Sequence, residues 1–167
     1  LDARGPGAGG LSAPPPRRRT RAKETHKLNP KIASFLAEKQ PETPCLVVDV
    51  EEVARAYRLL QKYLPLARIF YAVKANPAPE IVSALKKLGS SFDVASRGEV
   101  DLCLGLGADP AKVSFGNTIK KERDIAYAWA RGVRLYAFDS EAELEKLARA
   151  APGSRVVYLD IDPMVVA

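Results

Sequence analysis

Five short apolar runs, at residues 69–74, 91–95, 112–116, 134–138 and 155–161, begin about twenty-one residues apart along the chain. Amphipathic stretches at 79–88, 97–106, 119–131 and 140–150 fill the gaps between them. The runs have the length and the β-branched and aromatic content of strands, and the gaps place apolar residues at helical spacing. Strand and helix alternating at this period predict right-handed βαβ units and a parallel sheet. The punctuation agrees: Gly89, Gly107 and Gly132 follow helix ends, and Ser140-Glu141-Ala142-Glu143 has the pattern of a capping box opening the last helix.

An open doubly wound sheet and a (β/α)8 barrel both accept this alternation. No Gly-x-Gly-x-x-Gly follows the first strand, where the chain reads Ala75-Asn76-Pro77-Ala78-Pro79, which weakens a dinucleotide-binding sheet. Polar residues instead gather at strand C-termini, at Lys74, Asp93, Asn117, Asp139 and Asp160, where a barrel places its chemistry. The expected fold is therefore α/β, a partial (β/α)8 TIM barrel. About five βα units do not close eight strands, so the chain reads as truncated.

Upstream, Ile32, Phe35 and Leu36 fit a short helix, Pro41 and Pro44 bracket a turn, and Cys45-Leu46-Val47-Val48 reads as a strand. Val53, Tyr57, Leu60 and Leu64 recur at helical spacing, predicting an amphipathic helix over 51–64. Residues 1–27 are rich in Gly, Pro and Arg and cannot bury enough surface to offset ordering entropy, so they read as a disordered extension. They carry seven basic residues and two acids, which accounts for +5 of the net +6. The body is nearly balanced and offers no basic face for nucleic acid. No run of apolar residues is long enough for a transmembrane helix. Cys45 and Cys103 lie far apart without CxxC spacing, and a cytoplasmic protein is the default expectation. His26, the single histidine, falls in the extension, so histidine-activated nucleophiles and His-containing metal sites are not expected in the body.

Lys74 closes the apolar run Ile69-Phe70-Tyr71-Ala72-Val73 and precedes a turn. A lysine at the end of a buried strand is disfavoured as the ammonium and tends toward the neutral amine that forms Schiff bases; the alternative is a rim lysine that snorkels or pairs with a carboxylate. Asp93, on the next strand, is within plausible reach to orient or protonate such a nitrogen, or else caps the following turn. Glu99 falls in the first turn of the next helix, where an acid offsets the helix dipole. Gly116-Asn117-Thr118 reads as a turn and Asp139-Ser140 as a cap.

Phe70-Tyr71-Ala72-Val73-Lys74-Ala75-Asn76-Pro77 resembles the pyridoxal-phosphate attachment strand of the ornithine/diaminopimelate/arginine decarboxylase family, whose barrel is of the alanine racemase type. Pro44-Cys45-Leu46-Val47-Val48-Asp49, Leu88-Gly89-Ser90-Ser91-Phe92-Asp93-Val94-Ala95-Ser96 and Ser114-Phe115-Gly116-Asn117-Thr118-Ile119-Lys120-Lys121 are similar to further family motifs in the same order. The third of these, with Ala137-Phe138-Asp139-Ser140, is similar to the ornithine decarboxylase branch. The resemblance covers about residues 30–157, leaving 158–167 as an off-family tail, and implies the N-terminal part of a cofactor-binding barrel over 28–157.

It implies pyridoxal 5'-phosphate as cofactor, Lys74 as its attachment lysine, and Asp93 and Glu99 as acids beside it. It further implies a small amino acid as substrate, no nucleic-acid or membrane partner, and a homodimer. L-Ornithine is the first expectation; lysine or diaminopimelate, or a non-catalytic cofactor-carrying barrel, are the others. The family's ring-stacking histidine, glycine-rich phosphate loop and pyridine-pairing acid have no counterpart here, so the chain alone is expected to be inactive.

Overall fold

The computed structural model describes residues 28–159. The extension with His26 and the tail from Asp160 onward, with the expectations placed on them, lie outside the described residues. The chain divides into two compact units, with the boundary between Glu42 and Thr43.

In the first unit, helix α1 (Pro30–Lys39) starts where the Asn29 side chain accepts the Lys31 N–H at 2.9 Å and Pro30 opens the first turn. It stops at Gln40, whose left-handed backbone (φ 41°) returns its N–H to the Leu36 carbonyl at 3.1 Å.

In the second unit the strand expected at Cys45–Val48 does not form. The segment joins no ladder and Leu46 is 81% exposed, so neither backbone pairing nor side-chain burial holds it as a strand. Asp49 then caps α2 (Val50–Tyr63) by accepting the Glu51 N–H, and Glu51 and Glu52 face the positive end of the helix. Tyr57 is the buried residue of α2, and Val53 packs against the core with it.

The βα repeat follows as read: β1 (Phe70–Ala72), α3 (Pro79–Lys87), β2 (Ser91–Val94), α4 (Arg97–Gly105), β3 (Val113–Phe115), α5 (Glu122–Ala130), β4 (Leu135–Phe138), α6 (Glu141–Ala150) and β5 (Arg155–Tyr158). The five strands form one parallel sheet in the order β1-β2-β3-β4-β5. Neighbours in space are neighbours in sequence, so every crossover advances the same way. With uniform handedness that places the helices on one face, as in a barrel rather than a doubly wound sheet.

Alternation along the strands separates two faces. Phe92, Val94, Val113, Phe115 and Tyr136 are buried against Ile81, Val82 and Leu85 of α3, Val100 and Cys103 of α4, Ile125 and Ala128 of α5, and Leu147 of α6. The Phe115 and Tyr136 rings stack with centroids 6.2 Å apart. Truncating a ring such as Phe92, which is fully buried, would cost about 3–5 kcal/mol. The intervening residues Asp93 and Ser114 belong to the other face. At the N-terminal end of the sheet Arg68 stitches strand starts together, donating from Nε to Ser91 Oγ at 3.1 Å and from Nη2 to the Ala111 carbonyl at 3.2 Å. No helix among the described residues is long and apolar enough to cross a membrane.

Candidate active site

Because all five strands are parallel, their C-terminal ends share one rim, and the loops leaving it carry Lys74, Asn117 and Asp139 beside Asp93 of β2. Lys74 does not end a strand. The ladder stops at Ala72, and Val73–Ala75 winds into a single 3-10 turn that buries Val73 and leaves Lys74 exposed. The expectation of a desolvated lysine is thereby corrected: on a three-residue edge strand, the turn spends its buried position on valine and leaves Lys74 exposed. The turn is braced from both sides. The Tyr71 hydroxyl donates to the Asn76 carbonyl at 3.1 Å, and Asn76 Oδ1 accepts the Ala78 N–H at 3.0 Å. Lys74 forms no hydrogen bond or ion pair with a described residue.

Asp93 is half-buried, in register with Ala72 on one side and Ser114 on the other. Burial raises its pKa above the ordinary carboxylate range, and the nearby Glu99 charge raises it further. The Ser114 hydroxyl, the Lys74 ammonium and the Gly116 N–H pull the other way without cancelling the rise. Gly116 is part of this seat: a Cβ there would lie 2.6 Å from the Asp93 carboxyl carbon. Among the groups at the rim, Asp93 is a half-buried carboxyl with a raised pKa and Lys74 an exposed side chain near it.

Glu99 turns back into the start of α4. Its carboxylate accepts the Ala95 N–H at 2.8 Å while its own N–H donates to Ser96 Oγ at 3.3 Å. Those paired bonds fix the chain where β2 becomes α4 and keep the Glu99 charge beside Asp93. The capping box expected at Ser140–Glu143 is absent. Ser140 makes no side-chain cap bond, and Glu143 is 3% exposed and points inward to Lys120. Asn117 donates to the Ile119 carbonyl at 2.8 Å and so shapes its own loop.

Lys120, Glu143, Gly116 and Ser114 belong to the rim, and sequence reasoning does not single them out as separate actors. Setting β2 against β3 in register is the step that finds Ser114. Glu143 lies one helical turn before buried Leu147, and a carboxylate on the core stripe of a helix is the available signal for it. Among the described residues, no group of three or more His, Cys, Asp or Glu is placed to hold a metal ion.

A parallel βα sheet of this order has counterparts among known proteins. The family model of the pyridoxal-dependent decarboxylase, pyridoxal binding domain, matches residues 50–165, which is more than half of the chain and runs past residue 157, where the motif resemblance ended. The chain belongs to this family, and what it carries is the pyridoxal binding domain, a segment of a (β/α)8 barrel.

The lysine/ornithine decarboxylase of Selenomonas ruminantium is 41% identical over 78% of this chain and 33% of its own length. The chloroplastic ornithine decarboxylase of Nicotiana glauca is 42% identical over 72% of this chain and 28% of its own. The solved lysine/ornithine decarboxylase of Vibrio vulnificus, complexed with putrescine, superimposes with a TM-score of 0.69 at 30% identity, covering 77% of this chain and 35% of that one. The chain thus spans about a third of the length of the relatives it matches.

The rim fits the aldehyde end of pyridoxal phosphate. That end takes a primary amine with a carboxyl nearby; Lys74 is exposed and makes no hydrogen bond or ion pair with a described residue, and the Asp93 carboxyl is close enough to feel its charge.

Proposed function

We propose that this chain serves the pyridoxal-phosphate-dependent decarboxylation of L-ornithine to putrescine and CO2, with residues 28–157 forming the N-terminal part of the cofactor-binding barrel. The observation that carries the reading is the unpaired Lys74 amine on a braced rim turn, beside an Asp93 carboxyl whose pKa burial has raised. When bound, pyridoxal phosphate supplies the electron sink for the bond that breaks as CO2 leaves.

The protein's own residues then have separable tasks. Lys74 is the attachment amine and presents Nζ to the rim. Asp93, whose pKa burial raises, is the acid that would give a proton to that nitrogen or take one from it. Glu99 keeps Asp93 in place through the Ala95 N–H and, by its charge, favours the protonated carboxyl. Ser114 and Gly116 hold the carboxyl from the β3 side.

Ornithine as substrate is supported by the names of the relatives and by the putrescine held in the Vibrio vulnificus structure. The same names support lysine as a second substrate. The acting enzyme in this reading is a homodimer taking a small amino acid.

Incubation of the chain with pyridoxal phosphate, borohydride reduction and peptide mapping tests the reading. The expected result is a pyridoxyl adduct on the peptide containing Lys74, absent from Lys74→Ala. An adduct confined to another lysine would overturn the assignment. Labelled CO2 from ornithine compared with lysine, measured on the assembled enzyme, decides the substrate.

A further inference from the structure

One buried charge network at the rim has no part in the chemistry above. The Lys120 side chain is fully buried, and its Nζ donates to the carbonyls of Asn117 at 2.8 Å, Thr118 at 3.1 Å and Ala137 at 2.6 Å, with Glu143 Oε2 at 3.5 Å. An ammonium has three N–H donors, so every one is used on backbone, and a neutral amine would leave a carbonyl without its donor. Glu143 also accepts the Lys120 backbone N–H at 3.3 Å and pairs with Lys146, whose Nζ donates to the Lys120 carbonyl at 2.7 Å. Burial lowers the pKa of Lys120, Glu143 and Asp139 oppose that, and Lys146 adds to it.

These bonds converge on one stretch of backbone. The carbonyls of residues 117, 118 and 120 and the N–H of residue 120 are all tied to buried or half-buried charges on α6 or to Lys120 itself. The same amine reaches across to the Ala137 carbonyl, so the β3–α5 loop is fastened to β4. The loop begins at Gly116, where an added Cβ would collide with the Asp93 carboxyl.

We propose that Lys120, bonded to three backbone carbonyls beside Glu143, is a positioning residue: it clamps the β3–α5 loop and through Gly116 sets the seat of Asp93. The proposal deepens the reading above and rests on it only for the claim that Asp93 serves the cofactor. The groups facing Asp93 are Lys74, Glu99, Ser114 and the Gly116 amide, and Lys120 acts on it through the last of these.

The test uses the 167-residue chain without cofactor, as Lys120→Met and as the double variant Lys120→Met/Glu143→Met. Amide exchange is followed by mass spectrometry and the Asp93 carboxyl by carbon NMR titration. Lys120→Met removes the buried cation beside Glu143, leaving it with half-buried Lys146 alone, and lowers global stability; the double variant removes both buried charges and recovers part of it. A clamp predicts that amides 116–121 exchange about tenfold faster in both variants while those of β2 stay slow in the double variant. It also predicts that the Asp93 midpoint falls toward the ordinary range, because burial is the largest cause of its rise and a loosened loop admits water.

A double variant with native exchange at 116–121, or with an unmoved Asp93 midpoint, would overturn the proposal and reduce the pair to a packing element. If Lys120→Met alone does not fold, the double variant by itself distinguishes clamp from packing element. Borohydride trapping at Lys74 reads the cofactor assignment separately, so either result can fail without the other.

Discussion

The seat of Asp93 makes its sharpest prediction at Gly116. Alanine there faces no backbone penalty, since Gly116 does not adopt the left-handed conformation, and by restricting the unfolded chain it would stabilise by about 0.4–1 kcal/mol. Against this stands the new methyl, 2.6 Å from both the Asp93 carboxyl carbon and Oδ2. Two responses are open. Either β2 and β3 shift to make room, at an overpacking cost of about 1–3 kcal/mol, or the carboxyl rotates away and gives up its interaction with the Ser114 hydroxyl. The second response costs about the same, because leaving a partly buried polar group without its partner costs about 1–3 kcal/mol. The net expectation for Gly116→Ala is a loss of about 1–2 kcal/mol, taking either route less the unfolded-state gain.

Urea unfolding followed by circular dichroism reads this directly, provided the m-value is unchanged. The decisive arm is the double-mutant cycle with Asp93→Ala. Once the carboxyl is gone the methyl has nothing to strike, so Gly116→Ala becomes neutral or stabilising in that background. The coupling between the two positions should be about 1–3 kcal/mol. If alanine costs as much with Asp93 removed as with it present, the close approach of Gly116 is not what fixes Asp93, and the carboxyl has no seat on the β3 side.

Two further outcomes follow from the same structure. The folded state holds the Asp93 proton more tightly than the unfolded state does, so between the ordinary carboxylate pKa, about 4, and its raised value it binds more protons. Stability should therefore decline as pH rises through that window, and Asp93→Asn should remove this component; urea midpoints across the acidic range check it, and a rise with pH attributable to Asp93 would contradict the burial argument. Cys103 is fully buried with its thiol pushed up to about 12, whereas Cys45 is exposed. Iodoacetamide at neutral pH should alkylate Cys45 alone in the native chain and both after denaturation, and rapid native labelling of Cys103 would show that the α4 side of the core opens.

The fold was legible because its signals repeat. Five apolar runs at one period, each followed by a helical stretch, leave few topologies, and the sheet order follows once the crossovers share a hand. What misled was the run read without its neighbours. Cys45–Val48 has strand composition but no partner, and strand propensity is worth little without a ladder to join. At Val73-Lys74 the apolar run continued past the point where pairing ended, so a residue expected inside a strand stands on a turn in solvent. Hydrophobic pattern reports burial; where the edge of a sheet falls depends on what lies beside it.

Charged residues were harder to read than apolar ones for a related reason. Ser96–Glu99 and Ser140–Glu143 show the same spacing at the start of a helix. In the first, Glu99 turns back to the Ala95 amide; in the second, Glu143 ignores the helix start and goes inward to Lys120. Local sequence offers each glutamate the same backbone donors, so the choice is made by what the third strand brings near. Beyond β3 the Lys120 side chain is fully buried, and a carboxylate is worth more beside it than on an exposed amide. A short motif therefore sets which bonds a side chain can make, and the tertiary charge beside it sets which one it does make.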